Sequence, residues 1–206
     1  MIKIAFPRGH FFGCWDFFTS FLSAIRYLNK MNVKYDYFTV ESSLIDENRN
    51  GIFKVFLENK EEYLLMIDCD MTFKEDSIYK LYETMKDNKL DICCGLFFTG
   101  EPGLKAAIKK DGIFYENYPS NDLFEIDACG MAFTMFSKRV VEMFENEESF
   151  QRIGTLSEDL SFCHRAKEKG FKIWCDSKIK IGHLRLKAIT EDNLDKWRYE
   201  ETIWNK

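Results

Sequence analysis

Tyr63-Leu64-Leu65-Met66-Ile67-Asp68-Cys69-Asp70-Met71 is the stretch that decides how the chain folds. Its unbroken apolar start has the length of a strand and no polar alternation, which fits a strand buried on both faces. Two carboxylates two positions apart then mark the carboxyl edge of a sheet, where open α/β sheets place ligands. A strand continuing through them would point both side chains to one face, and the following turn lets them converge on one divalent ion with water and phosphate oxygens completing the shell. Mg²⁺ or Mn²⁺ suits such oxygen ligands. Taken alone the motif is a weak signal, because Asp68 and Asp70 also fit a polar strand-to-helix connection in which Asp70 or Thr72 caps the next helix.

Outward from this stretch, strand and helix alternate. Apolar runs predict strands over 2–6, 33–40 and 91–98. Helical spacing predicts helices over 16–31, through Phe17, Phe18, Phe21, Leu22, Ile25 and Leu28; over 46–59, through Ile52, Val55, Phe56 and Leu57; and over 75–88, through Ile78, Leu81, Tyr82 and Met85. That order specifies an open, largely parallel sheet covered by helices. The pattern loosens over 99–122 around Gly100, Pro102, Gly103, Gly112 and Pro119, which predicts a loop or hairpin excursion. Strands over 123–126, 131–136 and 171–176 follow, with helices over 138–145, 157–169 and 191–204. The last carries Trp197, Tyr199, Ile203 and Trp204, which fit packing of an end helix or closure over a cleft.

Composition narrows the classes. With 206 residues and 46 % hydrophobic content, one sizeable core and one domain are expected. Lys+Arg 29 against Asp+Glu 34 gives a net charge of −5, against a broad nucleic-acid footprint. The opening residues lack a secretory pattern, and no apolar run reaches the ~18 residues of a membrane span, so a cytoplasmic protein is expected. Seven cysteines, at 14, 69, 93, 94, 129, 163 and 175, form no CxxC pair and sit mostly in apolar stretches, where Cys behaves as a small hydrophobe in a reducing compartment.

Two further constellations carry chemistry. Ser157-Glu158-Asp159 precedes the helical run Leu160, Phe162, Cys163 and Ala166. Ser caps a helix and acids favour its first turn, yet the dipole and neighbouring cations would also keep an acid ionised at neutral pH, ready to take a proton from an attacking hydroxyl. Glu158 or Asp159 is thus a candidate general base. Ile181-Gly182-His183-Leu184-Arg185 follows a strand, and its imidazole can join carboxylates as a metal ligand. The surrounding Lys178, Lys180, Arg185 and Lys187 suit a diphosphate.

Asp68-x-Asp70, Gly130-Met131-Ala132-Phe133, Ser157-Glu158-Asp159-Leu160 and Gly182-His183 occur in the order found in GT-A glycosyltransferases of the family 2 type, and the chain resembles that group over nearly its whole length. Pro7-Arg8-Gly9, Arg49-Asn50 and the apolar strand before Asp68 are also similar to it. The resemblance implies an α/β GT-A (nucleotide-diphospho-sugar transferase) fold: an open, mostly parallel twisted sheet with helices on both faces and a small mixed C-terminal part. One catalytic domain would span 1–206, with 1–98 the nucleotide-binding half and 99–206 the acceptor-side half. It implies Asp70 as direct metal ligand, Asp68 nearer the ribose or a metal-bound water, and His183 as the late metal ligand. Asp159 would be the catalytic base of an inverting enzyme, supported by Glu158. Pro7, Arg8 and Gly9 would flank the base of the nucleotide, Arg49 would lie near the ribose or phosphates, and Gly130 would lie beneath the donor sugar. Arg185 or Lys187, with Mn²⁺ or Mg²⁺, would stabilise the departing nucleoside diphosphate. The implied donor is a UDP-sugar, with a GDP-sugar as the alternative, and the acceptor is unspecified.

Three rivals make different predictions. A nucleotidyltransferase or sugar-phosphate enzyme would release pyrophosphate and needs a Gly-rich phosphate loop after the first strand, of which Pro7-Arg8-Gly9-His10 is a faint version. A non-catalytic nucleotide-sugar-binding module would show no turnover. An enzyme glycosylating nucleic acid would use Lys105, Lys109, Lys110 and Arg185 against phosphates, although those lysines fit a solvated face as well.

Overall fold

The computed structural model describes residues 1–8, 15–99 and 104–184. In chain order these form β1 (Ile2–Arg8), α1 (Trp15–Lys30), β2 (Tyr35–Glu41), α2 (Ile45–Leu57), β3 (Tyr63–Ile67), β4 (Met71–Thr72), α3 (Ser77–Asp87), β5 (Ile92–Leu96), β6 (Ile108–Lys110), β7 (Ile113–Phe114), β8 (Leu123–Ile126), β9 (Ala128–Cys129), β10 (Phe133–Ser137), α4 (Lys138–Met143), α5 (Glu158–Glu168), β11 (Ile173–Lys180) and β12 (Gly182–His183). The helix expected over 191–204 lies outside the described residues. Among the described residues, no helix is long and apolar enough to cross a membrane.

A seven-stranded sheet, in the order β2-β1-β3-β10-β5-β11-β8, is the frame. β2, β1, β3, β5 and β11 point one way, while β10 runs antiparallel to both β3 and β5, and β8 runs antiparallel to β11 at one edge. The mostly parallel sheet expected from the strand–helix alternation is present. The antiparallel strand at its centre was not readable from local pattern, because period and polarity are the same for either direction.

β3 shows why the apolar run of 63–67 was informative. Leu64 and Met66 face one layer with Ile52, Phe53 and Phe56 of α2, Val140 and Val141 of α4 and Phe162 of α5. Leu65 and Ile67 face the other, with Phe17, Phe21 and Leu28 of α1 and Ile78, Leu81 and Met85 of α3. A strand with helices on both faces has no solvated side, so alternation disappears. Each fully buried Leu, Ile or Phe contributes about 1.5–3 kcal/mol. Aromatic rings fill both layers; in the first, the Phe150 and Phe162 rings stack with centroids 4.7 Å apart and Phe53 meets both edge-on. Cys93, Cys94, Cys129, Cys163 and Cys175 are free, buried cysteines within these layers, and Cys69 is half-buried.

Two small additions position the site. β4 pairs with β12, Met71 opposite His183 and Thr72 opposite Gly182, and Leu184 N–H donates to the Asp70 carbonyl at 2.8 Å. β6 and β7 form a hairpin inside the region 99–122 expected as a loop or hairpin, and β9, beyond that region, joins them in a three-stranded sheet. The turn between β6 and β7 is Asp111-Gly112, with φ of 52° and 79°. Positive φ at both central residues is the two-residue hairpin geometry that Asp-Gly accommodates.

Candidate functional site

Beyond Ile67 the chain leaves the sheet: Asp68 N–H donates to the Ala132 carbonyl at 3.0 Å, and Met71 N–H closes a turn onto the Asp68 carbonyl at 3.2 Å. The two carboxylates therefore diverge. Asp68 is held by Arg49 of α2 through two parallel bonds, Nη1 to Oδ1 and Nη2 to Oδ2, each 3.2 Å. Asp70 instead meets His183, whose Nε2 lies 3.1 Å from Oδ2. His183 reaches it because the β4–β12 pairing lays residues 182–183 beside 71–72.

A cleft of about 390 Å³ opens at this edge, lined by Asp68, Phe97, Lys109, Gly130, Asp159 and His183 among others. Asp159 sits in the first turn of α5, where Ser157 caps the helix by accepting from Leu160 N–H at 3.4 Å. Asp159 Oδ2 accepts from Met131 N–H at 3.2 Å, and Oδ1 lies 3.3 Å from Arg49 Nε, buried and without a hydrogen-bond partner of its own. Glu158 lies 3.7 Å from Arg49 Nε and 3.9 Å from Arg152. One buried guanidinium thus faces three carboxylates. They hold Arg49 above its ordinary range although burial alone would lower it.

The same cluster corrects the expectation that Asp159 is firmly ionised at neutral pH. Burial pushes its carboxyl up to about 7, Arg49 and the Met131 N–H pull it down, and the neighbouring Glu158 and Asp68 charges push it up again. Three acids around one cation leave an excess of negative charge, and desolvation is the largest influence on the Asp159 carboxyl. An acid titrating near the working pH is well suited to take up a proton during a reaction.

Gly130 lies under the cleft, donating its N–H to the Ala107 carbonyl at 2.9 Å. A Cβ there would meet Phe97 Cζ at 2.7 Å. Gly130→Ala is accordingly expected to cost about 1–3 kcal/mol, as overpacking does, readable as a lower urea midpoint with an unchanged slope.

Of the other residues expected at the site, Pro7 is buried within β1 opposite Val40 and is not among the residues lining the cleft, and Arg8 ends the strand opposite Glu41. Gly9, Arg185 and Lys187 lie outside the described residues. Arg49, expected near ribose or phosphates, spends both Nη groups on Asp68, its side chain only 3 % exposed. Sequence reasoning missed Phe97, Lys109 and Phe114 as cleft residues; Asp111-Gly112, a strong hairpin signal, would have brought Lys109 and Phe114 into one unit.

Among the described residues, no group of three or more His, Cys, Asp or Glu side chains converges to hold a metal. The Asp70–His183 pair nonetheless has a chemistry that suits one. His183 Nδ1 lies 2.8 Å from the Phe98 carbonyl, which can only accept, so Nδ1 carries a hydrogen. Nε2 then faces a carboxylate oxygen either as the donor of an imidazolium or with its lone pair, and a cation between the two reconciles the second state. Asp70, its side chain 47 % exposed, and His183 would hold a divalent ion from one side and leave room for water and phosphate oxygens.

The architecture is of the GT-A type, a large, mostly parallel α/β sheet with helices on both faces, as its structural neighbours share. A197 from STIV aligns over 90 % of this chain and 86 % of its own, with a TM-score of 0.64 and 18 % identity. GalNAc-T7, solved with UDP, GalNAc and Mn²⁺, aligns over 90 % of this chain with a TM-score of 0.59 and 10 % identity, and this chain covers 43 % of the GalNAc-T7 chain. At these identities the likeness concerns the fold. No family model matches the sequence, and no curated protein matches it by sequence.

Proposed function

We propose that the protein is a metal-dependent glycosyltransferase that moves a sugar from a nucleoside diphosphate, UDP before GDP, to an acceptor hydroxyl with inversion. The observation that carries this reading is that one cleft of a GT-A-type sheet is lined both by a proton-accepting acid, Asp159, and by His183, whose Nε2 meets Asp70 to make a cation-suited pair. GalNAc-T7, of similar fold, was solved with UDP, GalNAc and Mn²⁺, which supports the choice of donor and metal.

Asp70 and His183 would hold Mn²⁺ or Mg²⁺, which when bound supplies positive charge to the diphosphate. Mn²⁺ suits the mixed oxygen and nitrogen set. Asp159 takes the proton of the acceptor hydroxyl as its oxygen bonds to the anomeric carbon; the carbon–oxygen bond to the diphosphate breaks, and its electron pair leaves with the nucleoside diphosphate. Met131 N–H and Arg49 hold the Asp159 carboxyl in place, so little reorganisation accompanies proton transfer. Arg49 fixes Asp68 in the same way, leaving it at the cleft wall for ribose or a bound water. Glu158 supports the cluster's charge. Arg185 and Lys187 are proposed to neutralise the departing diphosphate, Pro7, Arg8 and Gly9 to flank the base, and Gly130 to admit the donor sugar. Residues 1–206 are proposed to act as one catalytic domain.

Calorimetric titration of UDP with Mn²⁺ and with excess chelator tests the reading. Tight binding is expected with Mn²⁺ and weak binding without it. Asp70→Asn and His183→Ala are each expected to weaken Mn²⁺-dependent binding by at least about 10-fold, the loss that follows even when an outer-shell partner is removed. Equal UDP binding with Mn²⁺ and chelator would overturn the proposal.

A further inference from the structure

The β6–β7 hairpin carries a feature that the proposed transfer reaction leaves unused. Lys109 and Phe114 face each other across the hairpin register and both line the cleft beside Asp159. Both also line a second hollow of about 660 Å³, with Lys105, Lys110, Ile113 and Glu116, so one ridge borders two spaces. The ammonium groups of Lys105 and Lys109 lie 5.3 and 5.2 Å from the centre of the Phe114 ring. Ile113 beside it is 70 % exposed.

Resting on the glycosyltransferase reading, we propose that this ridge is the acceptor subsite and that it selects a sugar-like acceptor carrying one anionic group, a phosphate or a carboxylate. The charges decide the number. Lys105 is answered by Glu116 at 3.6 Å. Lys110 acts on Asp127, which Lys167 chiefly holds below the usual carboxylate range. Lys109 forms no ion pair among the described residues, and its ammonium rests on an aromatic ring, a contact that leaves its hydrogen-bonding capacity for an oxyanion. One uncompensated cation, flanked by Asp111, Glu116 and Asp127, suits a single anionic group and disfavours a nucleic-acid backbone, which needs a row of cations. The half-exposed Phe114 and exposed Ile113 offer the apolar surface against which a sugar ring packs.

The backbone puts Lys109 on the reacting side. It is opposite Ala128 in the β6–β9 pairing, two residues before Gly130 and three before Met131, whose N–H holds Asp159. An anion bound by Lys109 therefore anchors the acceptor on the same wall as the proton-accepting acid.

Ligand-observed NMR on the full chain, with Mn²⁺ and UDP present, tests the assignment using glucose 6-phosphate, glucuronate, inorganic phosphate, glucose and a short oligonucleotide. The phosphorylated or carboxylated sugar is expected to bind about tenfold or more tighter than glucose, as a charge-assisted hydrogen bond provides, and the two arms separate phosphate from carboxylate. Lys109→Met, which keeps the alkyl stem on Phe114, is expected to abolish that preference while UDP affinity stays within about twofold, since a charge-assisted bond to UDP would cost far more when lost. Equal binding of glucose and the anionic sugars would overturn the proposal. So would preferential binding of the oligonucleotide, or a Lys109→Met loss that falls on UDP, which would move Lys109 to the donor. Failure of the underlying glycosyltransferase reading is read separately, as absence of Mn²⁺-dependent UDP binding.

Discussion

Asp159→Asn is expected to lower sugar transfer by about 10²–10⁴-fold, the contribution of a positioned general base, while making the metal-free protein more stable above neutral pH. The amide keeps the shape and can still accept from Met131 N–H, but it takes no proton from an acceptor. The stability effect has the opposite sign because of how the acid titrates. With a native carboxyl at about 7 and an unfolded one near 4, the native state binds more protons than the unfolded chain between those values, so stability falls as pH rises through that window. The stabilisation is complete below the unfolded value and gone above the native one. Asn removes this slope. Urea midpoints at pH 5 and pH 8 should separate in the parent and nearly coincide in the variant, the loss being on the order of 2–4 kcal/mol for a shift of this direction and size. A variant with full transfer activity would remove Asp159 from the reaction; one with an undiminished pH slope would remove it from the charge cluster.

Arg49→Met is expected to destabilise the fold by about 3–5 kcal/mol, the cost of stripping one partner from a buried ionic group. Asp68, Glu158 and Asp159 would be left facing one another with their common cation gone. The loss should shrink as pH falls toward 5, because protonating Asp159, whose carboxyl burial pushes up to about 7, relieves part of the repulsion, and chemical denaturation across pH reads this directly. Arg49→Lys would keep the charge and lose the two-pronged grip on Asp68, since an ammonium cannot match the spacing of two carboxylate oxygens. That variant should recover part of the stability and less of the activity, the split expected of a positioning residue.

The frame of the molecule was open to reading from the sequence because burial on two faces leaves a local trace. The apolar run of 63–67, the helical spacing of α1 and α3, and the cap at Ser157 each depend on neighbours a few residues away. What the sequence concealed depends on pairing over long separations. Nothing local to 182–183 says that these residues lie against 71–72, so the meeting of His183 with Asp70 could be expected only from motif order. Arg49 lines the cleft, but its grip on the three carboxylates that surround it, 19 to 110 residues away, is set by the fold and has no local trace. The raised Asp159 carboxyl likewise comes first from burial, which sequence does not report. The hairpin was partly visible, and its Asp-Gly turn carried more information than the loosened pattern around it.

The antiparallel course of β10 bears on how the polypeptide reaches this shape. β5 is flanked by β10 and β11 and touches no strand from the first 91 residues, while β3 has β1 on one side only until β10 arrives. A nascent chain that has just emerged through residue 98 therefore holds two bare apolar strands with unsatisfied edges, separated by a gap that only residues 133–137 can close. Sheet completion must wait until residues 133–137 have emerged, which makes products truncated before them the species at risk of edge-to-edge association.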